Sequence, residues 1–151
     1  MISCASLVLF AWSTLGKAAP GEEASSTAAV DADYAAAARL VGEERFTEAL
    51  QLLVRVVARD PANADAHNLL GFSQRKLGLV SEALVSYGRA LDLNPDHIGA
   101  HEYLGELHAE RGDIGRAEEH LARLAQLCPL GCEAHDDLMR AIARRKGAMP
   151  N

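Results

Sequence analysis

Apolar and polar positions along this chain follow a helical period, and the pattern then recurs. From Ala64 to His97 the sequence reads as two short amphipathic helices closed by a proline. Shifting the chain by 34 residues aligns Ala49, Ala83 and Ala117, then Pro61, Pro95 and Pro129, then Phe46, Val80 and Ile114, without a gap. The pattern predicts seven helices, at 31–41, 47–59, 64–76, 81–93, 99–110, 115–127 and 133–146. No stretch alternates between turn signals as a strand would, so the fold class is all-α. Each proline disfavours helical geometry in the residue before it, so Asp60, Asn94 and Cys128 end a helix. Small residues at Ala37, Gly71 and Gly105, and at Ala49, Ala83 and Ala117, let paired helices approach closely, where larger side chains would force them apart. One hairpin cannot bury its apolar stripe alone, so the copies must stack.

The 34-residue period, with a small residue early in the first helix, an alanine late and a closing proline, resembles the tetratricopeptide repeat. Copies fall at 30–63, 64–97 and 98–131. Leu70, Gly71, Gly78, Ala83, Tyr87, Ala90 and Pro95 carry the pattern in the central copy, with His67 where the family has Trp. The third copy keeps Leu104, Gly105, Gly112, Ala117, Leu121 and Pro129. The first has Ala37 for the glycine and Glu44 where a turn glycine is expected.

The resemblance implies a right-handed α-solenoid of three hairpins, followed by a capping helix at 132–146. That last helix carries Ala134, Leu138, Ala141 and Ile142 on one face, and its acidic start and basic end both favour the helix dipole. In the family the first helix of each hairpin lines a concave groove. The positions here are Asp31, Tyr34 and Ala38, then Asp65, Asn68, Phe72, Arg75 and Lys76, then Glu102, Glu106 and Glu110. Such a groove is acidic at its C-terminal end, basic in the middle and aromatic at Tyr34 and Phe72, and it suits a peptide or helix of mixed charge. The lysine, asparagine and arginine set with which one branch of the family clamps chaperone C-termini is missing, with Asn68 alone in place.

Charge and composition narrow the classes further. A net charge of −6 over 151 residues disfavours nucleic acid, whose binding rests on neutralising phosphates. Residues 1–18 form an apolar run without an acidic residue and look like a secretory signal cleaved after Ala18, although a basic n-region is lacking. The run is short for a membrane span. Residues 19–29 are small, polar and proline-bearing, and read as a flexible linker. The expectation is a periplasmic or secreted protein with no stable membrane insertion after signal removal.

Two constellations offer chemistry. His67, His101 and His135 recur at 34 residues, at the framework position where the family has an aromatic ring, which favours packing; His97 and His101, four apart, have the spacing of a metal pair. Cys128 and Cys132 flank the turn before the capping helix, in a CPxGCE ending that resembles small exported bacterial repeat proteins. The pair suits a disulfide in an oxidising compartment, a metal site completed by His135, or redox chemistry. Phosphate loops, nucleophile elbows and HExxH arrangements are absent from the sequence. The sequence therefore points to a non-enzymatic module that binds another protein, with no cofactor and no metal. Its alternative is a small metal or redox accessory protein using Cys128, Cys132 and His135.

Overall fold

The computed structural model describes residues 20–147. Among the described residues there are seven helices and no strand: α1 (Pro20–Gly42), α2 (Phe46–Arg59), α3 (Ala64–Lys76), α4 (Val80–Leu93), α5 (Ile98–Glu110), α6 (Ile114–Leu127) and α7 (Glu133–Gly147). None of them is long and apolar enough to cross a membrane. The expected signal, residues 1–18, lies outside the described residues.

One expectation is corrected at the N-terminus, where the stretch read as a flexible linker is helical from Pro20 onward and continues into the first repeat. The sequence accounts for this. Proline is well tolerated at a first helical position, where its missing N–H would have no partner, and the run beyond it is rich in alanine. The remaining helices begin and end within a residue of the predicted boundaries.

Turns between paired helices reverse direction through a residue with positive φ. Gly78 (φ 78°) and Gly112 (φ 83°) take this role in the second and third hairpins, and Glu44 (φ 58°) takes it in the first. A side chain in that region costs roughly 1 kcal/mol or more, so the first turn is the strained one. Links between hairpins close differently. Asn63 Oδ1 accepts the Ala66 N–H at 2.9 Å, and His97 Nδ1 accepts the Ala100 N–H at 3.1 Å, each capping the next helix.

The core forms in four clusters, each of which borrows from the following unit, and in the first of them Val30 and Val56 pack with Ala66 of α3. Ala37, Leu40, Ala49 and Leu53 pack with Leu70 of α3. Ala83 and Tyr87 pack with Leu104 and Leu107 of α5. Ala109, Ala117 and Leu124 pack with Ala134, Leu138 and Ile142 of α7. Such borrowing is the stacking that the single hairpins require. Gly71 is where α3 and α4 come closest, since a Cβ there would meet the Tyr87 ring at 2.8 Å. Gly105 serves a different junction. A Cβ on it would sit 2.5 Å from Leu138 Cδ2, so this glycine admits the capping helix as well as its hairpin partner. Successive odd-numbered helices touch one another, whereas α2, α4 and α6 make no such contacts among themselves. The array therefore curves with α1, α3, α5 and α7 on its inner side.

Candidate functional site

The inner face is built by those odd-numbered helices, and Arg75 is its anchor. Its guanidinium reaches from α3 to α5, donating from Nη1 to Glu106 Oε2 at 2.8 Å and from Nε to Glu110 Oε2 at 3.1 Å, with Nη2 on the other Glu110 oxygen. Only 11% of the Arg75 side chain is exposed. The expectation that Arg75 supplies free positive charge to the middle of the groove is thus corrected, since Arg75 is neutralised by two carboxylates of the next repeat and holds the two helices together, while Lys76 stays exposed. Phe72 is likewise engaged, 6.0 Å from Phe46 and 4.9 Å from Tyr103 between ring centroids, and Lys76 lies over its ring at 5.1 Å. Asn68 is buried beside Gly99, with its carbonyl oxygen unpartnered. Tyr34 is half-buried against the cores around Leu53 and Val56. Asp65 and Lys76 are exposed, and Asp65 Oδ1 lies 3.0 Å from His97 Nε2. Asp31 lies in α1, and its side chain is outside those described.

Toward α7 the charges are less fully matched. Burial, then Glu106, Asp137 and Glu133, push the Glu102 carboxyl up to about 7, because carboxylates from two helices converge there. Glu102, Glu133 and Asp137 line a recess of about 440 Å³ between the starts of α5 and α7, with Ile98, Tyr103 and Cys132. A second recess of about 330 Å³ lies between the ends of the same helices, lined by Arg75, Glu106, Glu110, Ala141, Arg144 and Arg145. Arg144 and Arg145 form no ion pair among the described residues. The sequence reading confined the groove to the three repeats and missed the contribution of α7. A signal was present, since one more 34-residue step carries Gly99, Tyr103 and Glu110 onto Glu133, Asp137 and Arg144.

The histidines are structural members of the fold. His67 and His101 each hydrogen-bond the carbonyl of the proline six residues earlier, His67 Nε2 to Pro61 at 3.2 Å and His101 Nε2 to Pro95 at 2.9 Å. At the third position His135 instead has Nδ1 3.2 Å from Asp136 Oδ1. With Nε2 of His101 donating to the Pro95 carbonyl, His101 Nδ1 and His120 Nδ1 share one hydrogen bond at 2.9 Å. His108 stacks on His120 at 5.8 Å. Burial, with His101 and His108 beside it, pushes His120 down to about 4. His120 was not singled out in the sequence because nothing in its spacing reveals that α6 turns it toward α5. The proposed pairing of His97 with His101 on one metal does not form, since the two rings serve different partners, Asp65 and Pro95.

Cys128 and Cys132 are joined by a disulfide, with their Cα atoms 5.8 Å apart. The bond takes up both thiolates that a metal site with His135 would need. Among the described residues no group of three His, Cys, Asp or Glu side chains is placed to hold a metal ion.

Comparison with known proteins adds a further line. The family profile described as tetratricopeptide repeat matches residues 34–96 and 73–131. A Caenorhabditis elegans protein, tetratricopeptide repeat protein 21 homolog, is 31% identical over 87 residues, which is 58% of this chain and 7% of that protein. The chain therefore spans a small fraction of that relative's length. MamA from Desulfovibrio magneticus RS-1 superposes with a TM-score of 0.62 at 31% identity, over 65% of this chain and 55% of that one. The second TPR domain of human RPAP3, solved in complex with an HSP70 peptide, gives a TM-score of 0.69 at 17% identity, over 80% and 98% of the two chains.

Proposed function

This chain belongs to the tetratricopeptide repeat family, and from that premise we propose that it is a non-enzymatic protein-interaction module whose inner face receives a peptide or helix of another protein. One observation carries the reading. Arg75, Glu106 and Glu110 brace α3 against α5, so the exposed groups at the two ends of α3, Asp65 and Lys76, sit on a preformed surface. Binding a partner there requires little ordering of the receptor. The fold contributes the scaffold, and the choice of partner belongs to the residues of the site. Since the chaperone-type carboxylate clamp is missing from the sequence, the partner differs from a chaperone C-terminus.

The proposal includes export to the cell envelope. The apolar run at 1–18 supports it, and so does the disulfide, a bond that persists in oxidising compartments. Affinity capture from the native host, followed by hydrogen-exchange mapping of the purified complex, tests the binding mode. Slower exchange should be confined to α3, α5 and their neighbours on the inner face. Slower exchange on α4 and α6 alone would place the interface on the outer face and refute the reading.

A further inference from the structure

The two recesses between α5 and α7 carry opposite charge and lie along one line. Glu102, Glu133 and Asp137 surround the first, and Tyr103 supplies an aromatic wall. Arg144 and Arg145 stand over the second, where Glu106 and Glu110 are already committed to Arg75. Between them Leu138 is pressed against Gly105, so that the helices touch at mid-length and open toward both ends.

Resting on the inner-face reading above, we propose that this bipolar cleft binds an extended segment of the partner carrying a Lys or Arg and, four residues away, an Asp or Glu. The cation enters the recess of Glu102 and Asp137, and the anion enters that of Arg144 and Arg145. The two ends of the cleft are about eight residues apart on α5, roughly 12 Å at the helical rise. An extended chain advances about 3.3 Å per residue and turns every second side chain to one face, so positions i and i+4 match both the distance and the direction. Crowding of the carboxylates supports the assignment. Glu102 is held partly protonated by burial and by Glu106, Asp137 and Glu133; Arg75 opposes them and Arg140 pairs with Asp137, which leaves Glu102 without an ion-pair partner among the described residues, and an incoming cation relieves the repulsion. Tyr103 adds a ring face to which a guanidinium or ammonium is attracted.

Fluorescence anisotropy with labelled synthetic decapeptides tests this directly. The set holds Lys and Glu at i and i+4, the same pair at i and i+2, Lys at both sites, Glu at both sites, and a Gln pair. The i, i+4 Lys–Glu peptide should bind about tenfold or more tighter than the others, with the advantage shrinking as salt rises. Glu102→Gln with Asp137→Asn should erase the preference for Lys and keep that for Glu, and Arg144→Gln with Arg145→Gln should do the reverse. Circular dichroism of each variant confirms that the array is folded. Equal affinities across the peptides, or preferences unchanged in both variants, overturn the bipolar cleft. If that charge-blind binding is still lost on Asp65→Lys with Lys76→Glu, the inner-face reading survives without it. Failure of every peptide to bind counts against both.

Discussion

Ala83 has no exposed surface and lies, with Tyr87 of the same helix, in the cluster that joins α4 to Phe72 of α3 and to Leu104 and Leu107 of α5, so its small size sets the helix spacing in the central hairpin. Ala83→Leu should therefore overpack the junction and cost about 1 to 3 kcal/mol, read as a lowered thermal midpoint. Positions of this kind were legible in the sequence, because a residue selected for size recurs at the same register in every copy. Charged residues were not. Arg75 was read as a free basic group, yet its partners lie 31 and 35 residues away, and nothing in the local pattern announces an ion pair across a repeat boundary. Glu102 shows the same blindness, since its environment is assembled from α5 and α7 together. Its folded value of about 7 lies above the ordinary 4.5, so the fold favours the protonated form. Stability from this group is present at low pH and declines as pH rises from about 4.5 to about 7. Glu102→Gln should accordingly raise the denaturant midpoint at pH 8 and leave it unchanged at pH 4. The gain should stay under about 1 kcal/mol because the group is partly solvated.

At the scale of elements, the repeat helices were visible in sequence through their 34-residue period and the prolines that close α2, α4 and α6, and the capping helix through its apolar stripe. The first helix was mistaken at its start, because a run of small residues satisfies both a linker and an alanine-rich helix. The α5–α6 pair holds the histidine chain of His101, His120 and His108, in which burial pushes His120 and His108 down, opposite to Glu102. Around it stand Asp113, Glu119, Arg111 and Arg116, with Arg145 of α7 against Gly112. His120 is depressed to about 4 against an ordinary 6.5, so the stability it lends is present above about 6.5 and is lost as pH falls toward 4. Replacing it with glutamine, His120→Gln, should flatten that part of the pH profile. An unaltered slope in urea melts between pH 7 and pH 4 would show that the ring is solvated. The junction of α6 with α7 is held by the Cys128–Cys132 bond. Reduction should cost about 2 kcal/mol for so short a loop and loosen α7 before the rest. Amide exchange should quicken after Glu133 while α3 and α4 keep their protection. Uniform quickening along the chain would mean instead that the array unfolds as one unit.

Across the whole molecule, the repeat count, the stacking and the curvature were recoverable because a solenoid is a one-dimensional object whose contacts link neighbours in sequence. The inner face was recoverable only in outline, since what it presents depends on which groups pair across helices and which remain free. Asp65 and Lys76 remain exposed on α3, while α4 on the outer side presents Val85, 73% exposed, and Arg89. A direct comparison of these faces decides whether the curvature serves binding. The measurement is the affinity of the captured partner, by isothermal titration, for wild type, for the inner-face variant Asp65→Lys with Lys76→Glu, and for the outer-face variant Val85→Asp with Arg89→Glu. Binding weakened about tenfold or more by the inner-face change and untouched by the outer-face change is the predicted result. The opposite pattern, with the inner-face variant binding as wild type does and the outer-face variant failing, would contradict it.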